Sequence, residues 1–133
     1  MAQTQSLTKL GYGEIGKLLS CEASKGFKSV CCLKTACTAD EDQTSGGVTK
    51  CTDAGLILAD AATVASVKTT VDNDTVQVDH KFTEAGAGET VLGFGVWNDD
   101  DDVLMGLCCF AAGVVMAVTD TLTVQWKTQV KAD

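Results

Sequence analysis

The sequence predicts a mainly β protein, an antiparallel β-sandwich-like domain with one short N-terminal helix. Three observations favour this class. Apolar and polar residues alternate in residues 120–130, other short apolar segments are separated by turn-forming residues, and only residues 7–19 show convincing helical spacing. The 133 residues fit a single β-rich structural domain, with a helical segment at residues 1–20 and a β-domain at residues 27–130.

Residues 7–19 are predicted to form an amphipathic helix. Ser6 can cap its first turn by accepting hydrogen bonds from backbone N–H groups. The apolar side consists of Leu7, Leu10, Ile15, Leu18 and Leu19. Gly11, Gly13 and Gly16 weaken the helix by up to about 1 kcal/mol each relative to alanine, so it must pack against the rest of the protein.

Residues 27–33 are predicted to form the first strand. Because neighbouring strand residues point to opposite faces, one of Cys31 and Cys32 should look inward and the other outward. The polar, acidic and glycine-containing residues 38–50 follow as a surface loop. Residues 56–65 are alanine-rich and apolar, and a strand followed by a loop and a short helix fit them about equally.

The second half of the chain is predicted to consist of strands joined by turns. Residues 67–71, 76–82 and 91–97 each show strand character and are separated by glycine, Asn and Asp. Residues 103–118 contain two glycines, which indicate two buried strands with a bend or turn between them.

The last strand, residues 120–130, has the clearest pattern in the chain. Its apolar face consists of Leu122, Val124, Trp126 and Val130. Thr, Gln and Lys occupy the positions between, as in a strand with one buried and one wet face. We expect Trp126 to lie in the core and to face residues 91–97 and 103–118.

The net charge of −8 repels phosphate backbones and anionic lipid, so neither nucleic acid nor membrane is predicted as a partner. The longest apolar run, residues 103–118, is shorter than the ~20 residues that a membrane-spanning helix needs. The first residues lack the basic and apolar regions of a signal peptide, which predicts synthesis in a cytoplasm.

Three other features have plain structural interpretations. The acidic residues 98–102 lack the glycine and glutamate of an EF-hand and are predicted to form a hairpin tip held in water. His80 is the only histidine and is more typical of a core or interface residue than of a catalyst. The glycine-rich stretches at residues 86–88 and 93–95 lack the lysine of a phosphate-binding loop. We predict no enzyme activity and no cofactor.

The seven cysteines are unusually many for a cytosolic domain, and they are the candidate disulfide residues: Cys21, Cys31, Cys32, Cys37, Cys51, Cys108 and Cys109. Their spacing lacks the repeated Cys-x2-Cys knuckle of a zinc site. Because seven is odd, at least one thiol must stay free or pair with another molecule. We predict disulfides between chains, with a surface-facing sulfur in each vicinal pair. The alternatives are small buried hydrophobic residues, and a small metal- or thiol-dependent redox protein.

Three segments in order carry a family resemblance: Leu-Thr-Lys-Leu-Gly at residues 7–11, the strand and acidic hairpin at residues 93–102, and Asp-Thr-Leu-Thr-Val-Gln-Trp at residues 120–126. They resemble short virion proteins of tailed bacteriophages, described as tail-fibre-like or capsid-decoration proteins. The resemblance implies a non-enzymatic particle component whose partners are major capsid or tail proteins. Such a protein is made in the host cytoplasm and then works in the virion, where thiols oxidise without any secretion signal.

The chain also contains more apolar strand than a domain of this size easily hides. Exposed β-edges of that kind are commonly covered by a neighbour. We therefore expect a homo-oligomer, as a trimer or another small ring.

Overall fold

A computed structural model describes residues 3–20, 26–35, 37–58, 62–72, 74–86, 88–98 and 103–130. The elements in chain order are β1 (Gln3–Leu7), α1 (Lys9–Leu19), β2 (Phe27–Leu33), a short 3-10 helix (Ser45–Gly47), β3 (Thr63–Val67), β4 (Thr75–Thr83), β5 (Glu89–Asn98), β6 (Leu104–Met116) and β7 (Thr121–Gln129). The predicted mainly β class, with a helix near the N-terminus, is confirmed.

Two antiparallel sheets form a sandwich-like arrangement. The four-stranded sheet has the order β1-β6-β5-β2, and the three-stranded sheet has the order β3-β4-β7. All the ladders are antiparallel, and β5 and β6 form the hairpin that the acidic residues 98–102 predicted. The predicted tip of that hairpin includes residues 99–102, which lie outside the described residues.

Trp126 of β7 lies in the core between the sheets, as predicted, with only 4% of its surface exposed. Its ring covers Gly106 of β6, where an added Cβ would come within 2.6 Å of the indole. The ring of Phe94 from β5 meets the indole edge-on, with centroids 6.4 Å apart. Val130, which the same pattern placed on the buried face, follows the end of β7 and is exposed.

The prediction of two strands in residues 103–118 is wrong, because β6 is one long strand with a bulge. Val91 of β5 pairs with Val114, and Gly93 pairs with Cys109, so residues 110–113 of β6 have no partner in the ladder with β5. After this bulge the pairing with β5 resumes and the strand continues. The two glycines therefore indicate an irregularity inside one strand and not a turn between two strands.

The predicted strand at residues 67–71 is also displaced, because β3 ends at Val67. The Asp74 carboxylate accepts hydrogen bonds from the backbone amides of residues 69–71, at 2.8–3.1 Å, and bends the chain into a turn. Burial alone would raise the pKa of Asp74, but these amides and the Gln129 side chain outweigh it and hold the pKa well below its ordinary value. The start of β3 lies within residues 56–65, whose type the sequence left open.

The first residues of the chain differ from prediction in two ways. Residues 3–7, including the expected cap Ser6, form β1 and pair with β6. The helix begins at Lys9, and Thr8 caps it by accepting a hydrogen bond from the Gly11 amide at 2.9 Å.

The packed side of α1 also differs from prediction, because the helix meets β6 through Gly11 and Glu14. Gly11 touches the backbone of Met105 so closely that a side chain would overlap the Met105 carbonyl oxygen. Of the predicted apolar side, Leu7 and Ile15 are half-buried, whereas the other three leucines are exposed. The large apolar side chains left 44–76% exposed on the helix are Leu10, Tyr12, Leu18 and Leu19.

Replacing Trp126 by alanine should lower the free energy of unfolding by about 3–5 kcal/mol, because it removes the buried group that joins the two sheets. Chemical denaturation measures the change. Trp126→Phe is the matched control and should cost clearly less, since it keeps most of the buried ring. An alanine variant as stable as its parent would show that the indole does not join the sheets.

Gly11→Ala and Gly13→Ala should change stability in opposite directions. The methyl group at Gly11 would overlap Met105 and cost about 1–3 kcal/mol, as overpacking does. Nothing lies within 4 Å of a Cβ at Gly13, so alanine there should gain up to about 1 kcal/mol from helix propensity. Thermal unfolding of both variants tests the contact, and equal effects would contradict it.

Candidate functional site: the cysteines and the sheet edges

Two of the candidate cysteines, Cys37 and Cys109, form a disulfide within the chain. Their Cα atoms lie 5.8 Å apart, and 72 positions separate them in the sequence. The bond joins the loop after β2 to β6, one of the two inner strands of the four-stranded sheet. It therefore fixes a long loop to the sheet centre.

Both members of each vicinal pair are buried, so the prediction that one sulfur of each pair faces a surface is wrong. Cys32 and Cys108 belong to the main core, whereas Cys31 points to the other face of the sheet. On that face, Cys31 belongs to a second, smaller core cluster with Leu33, Trp97 and Leu104, and the side chains of Cys37, Val48 and Leu58 pack against this cluster. The pairs do point to opposite faces, but both faces of this sheet are covered.

The free thiols among the described residues are Cys31, Cys32, Cys51 and Cys108, and all are buried. Burial raises the pKa of Cys31 and Cys51 to about 12 and that of Cys108 to about 11, and it raises the pKa of Cys32 further. A nucleophilic or metal-binding cysteine acts as the thiolate, which these environments disfavour at neutral pH. The four thiols have the character of small core side chains.

The candidate cysteine at position 21 lies outside the described residues. Within the described ranges, no group of three or more His, Cys, Asp and Glu side chains is arranged to hold a metal ion. None of the helices in those ranges has the length and apolar character needed to cross a membrane.

The other residues singled out in the sequence have structural contacts. His80 lies half-buried on β4, with its ring 4.6 Å from that of Phe82. Gly93 and Gly95 lie inside β5, where an added Cβ would meet neighbouring backbone at one position and the Trp97 ring at the other. Asn98 ends β5 and accepts a hydrogen bond from the Val103 amide at 3.2 Å.

The four outer strand edges of the sandwich differ in how they are covered. The C-terminal end of the β2 edge is covered by the following loop: Leu33 bridges to Lys50, and the Cys51 amide donates to the Cys32 carbonyl oxygen at 3.0 Å. The Cys32 amide in turn donates to the Leu56 carbonyl oxygen at 3.2 Å. This edge has no free row of backbone groups between those contacts.

The edge strands β1 and β7 border a groove on the opposite side of the sandwich. Residues 5–7 and Tyr12 line one wall, residues 126–129 line the other, and the volume is about 360 Å³. The open edge of β7 therefore faces β1 across the groove.

The edge strand β3 is exposed along most of its length. Residues 63–66 are exposed, Val67 is half-buried, and β3 pairs only with β4. Its sequence, Thr-Val-Ala-Ser-Val, has no charged residue and no proline. Three of its five residues are β-branched, which favours a strand, but it crosses the boundary between the predicted segments 56–65 and 67–71.

Comparisons of the chain with protein-family models, with curated proteins and with solved structures find no match.

Replacing Cys37 and Cys109 together by serine should lower the free energy of unfolding by about 2–4 kcal/mol, since the bond constrains a long loop in the unfolded chain. Denaturation with and without reductant measures this loss. The reductant should destabilise the parent by a similar amount and leave the double variant unchanged. A reductant effect of equal size in the double variant would show that another bond carries the stability.

Proposed function

We propose that this protein is a non-enzymatic structural component of a tailed-phage virion, such as a capsid decoration, minor capsid, collar or tail-fibre-like protein. Its role is to stabilise the particle through contacts with major capsid or tail proteins and with further copies of itself. The family resemblance of residues 7–11, 93–102 and 120–126 motivates the proposal. The arrangement of the molecule supports it in two ways.

The observation that carries the proposal is the exposed apolar surface of α1. Leu10, Tyr12, Leu18 and Leu19 keep 44–76% of their surface exposed. Exposed apolar groups of this size on one element are typical of a protein interaction surface. A particle subunit needs such a surface, and a neighbour would bury it.

The cysteines give the second support. The Cys37–Cys109 bond suits a protein that works in an oxidising setting, where the bond persists. The buried thiols with raised pKa values favour a stabilising role over redox or metal chemistry, which is the alternative function. Elemental analysis of protein purified without chelators separates the two, because a stoichiometric metal would favour the alternative.

Antibody labelling of purified particles tests the proposal directly. Gold-labelled antibody against the protein should bind intact particles, and its position should distinguish capsid, collar and tail. The double variant Leu18→Ser, Leu19→Ser should be incorporated less than the parent, whereas Gly13→Ser on the same helix should be incorporated normally. Particles that carry no label while the protein stays in the soluble fraction would refute the proposal.

A further inference from the structure

We propose that Asp53 and Glu84 form a binding site for a calcium ion, where the loop after β2 meets the end of β4. The two side chains lie against the backbone of Gly86 and interact with each other. The bound ion would join the segment around Asp53 to the end of the three-stranded sheet. The site uses neither the exposed surface of α1 nor any cysteine, so the proposal goes beyond the proposed function.

The first observation is a buried carboxylate oxygen without a partner. Glu84 directly follows the last residue of β4, and only 1% of its surface is exposed. Its Oε1 accepts a hydrogen bond from the Gly86 amide at 2.8 Å, whereas its Oε2 has no hydrogen-bond partner among the described residues. A buried carboxylate oxygen of this kind costs free energy, because it has lost its contacts with water. A bound cation would remove that cost.

The second observation is an ionised carboxylate beside Glu84. Asp53 Oδ1 accepts hydrogen bonds from the amides of Gly55 and Ala85, at 2.8 Å and 3.2 Å. The Gly55 amide, followed by the Ala85 amide and the Glu84 side chain, holds the pKa of Asp53 below its ordinary value although burial acts in the opposite direction. Ionised carboxylates only accept hydrogen bonds, so neither of the two can satisfy the other. A proton or a cation must lie between them.

The third observation is that glycine backbone borders the pair. A Cβ added at Gly86 would overlap Asp53 Oδ2 and would lie 3.5 Å from Glu84 Oε1. Among the described glycines, positive φ occurs at Gly88, so the backbone conformation does not require glycine at position 86. A side chain at position 86 would instead displace the two carboxylates that the ion needs.

Both carboxylates are held in place by their own backbone. The Asp53 amide donates a hydrogen bond to Glu89 Oε2 at 3.0 Å, which ties it to the first residue of β5. The Glu84 amide donates to the Asp120 carbonyl oxygen at 2.9 Å, and the Glu84 carbonyl oxygen accepts from the Thr119 amide at 3.0 Å. The protein thus positions the two ligands before any ion binds, as an effective site requires.

The type and number of ligands favour calcium. Carboxylate oxygens are hard ligands that suit calcium and magnesium, whereas thiolates select other metals. Calcium accepts irregular ligand sets that backbone carbonyl oxygens and water complete, whereas magnesium requires near-ideal octahedral geometry. The net charge of −8 also attracts cations. Because only two carboxylates contribute, we expect a dissociation constant of about 10⁻⁴–10⁻³ M, as in extracellular calcium modules.

Calorimetric titration of the full chain with calcium chloride, at neutral pH and constant ionic strength, tests the proposal. The parent should bind one ion, and calcium at ten times its dissociation constant should raise the folding equilibrium constant about tenfold. Glu84→Gln should abolish binding, because the amide keeps the size of the side chain but removes its charge. Asp42→Asn removes an exposed carboxylate that pairs with Lys9, and this control should bind calcium like the parent.

A measurement on the parent alone covers the case in which the Glu84 variant does not fold. When calcium is added, the NMR signals of the Gly55, Ala85 and Gly86 amides should shift, because these amides donate to the two carboxylates. The amides of residues 69–71 donate to Asp74, a carboxylate outside the site, and should not shift.

Three outcomes would overturn the proposal. The first is a parent that binds no calcium at about 10 mM, tenfold above the weakest expected dissociation constant. If Glu84→Gln is then also more stable than the parent, the two carboxyl groups share a proton instead. The second is calcium binding that survives in folded Glu84→Gln, and the third is a set of NMR shifts confined to other residues.

The result is independent of the virion role, since antibody labelling of particles does not involve this site. Calcium bound by carboxylate oxygens has no redox chemistry and does not involve the thiols. Its detection would therefore not support the metal- or thiol-dependent redox alternative.

Discussion

The packing of Trp126 on the bare backbone of Gly106 is the contact on which the rest of the structure depends. It brings the three-stranded sheet onto β6, the strand that also pairs with β1 and β5. The two residues before Gly106 position the helix. Gly11 packs against the Met105 backbone, and the Leu104 carbonyl oxygen accepts a hydrogen bond from the Thr8 hydroxyl group. A short stretch of β6 thus joins both sheets, the first strand and the helix.

The strands that the sequence predicted well are those with one buried face. β4 and β7 alternate apolar and polar side chains because one side packs on the core, and that alternation is visible in a single sequence. β1 was missed because Gln-Thr-Gln-Ser-Leu has no such pattern, and backbone pairing with β6 holds it in place. The orientation of α1 was missed because the hydrophobic pattern considers only apolar side chains, whereas the residue that packs against β6, Gly11, has no side chain.

The cysteines show a different limit of sequence reasoning. Alternation correctly separates Cys31 from Cys32, but it cannot tell whether the second face of a sheet is covered. The loop after β2 supplies that cover through Val48, Leu58 and the Cys37–Cys109 bond, and nothing in its polar composition indicates a second core cluster. Pairing over so long a separation depends on the whole fold, so spacing alone could not identify the partners.

The register of β1 on β6 has a consequence for the order of folding. Gln3 lies opposite Phe110, so the first strand finds its place only after nearly the whole chain has left the ribosome. Contacts between such distant residues carry a large loop-closure entropy and slow the search for the native state. The β5–β6 hairpin can form locally, and the free edge of β6 is then available to pair with β1. Until β1 has paired, the newly made chain exposes the edge of β6. An unpaired strand edge promotes aggregation, so this is the interval in which binding by a chaperone would be most useful.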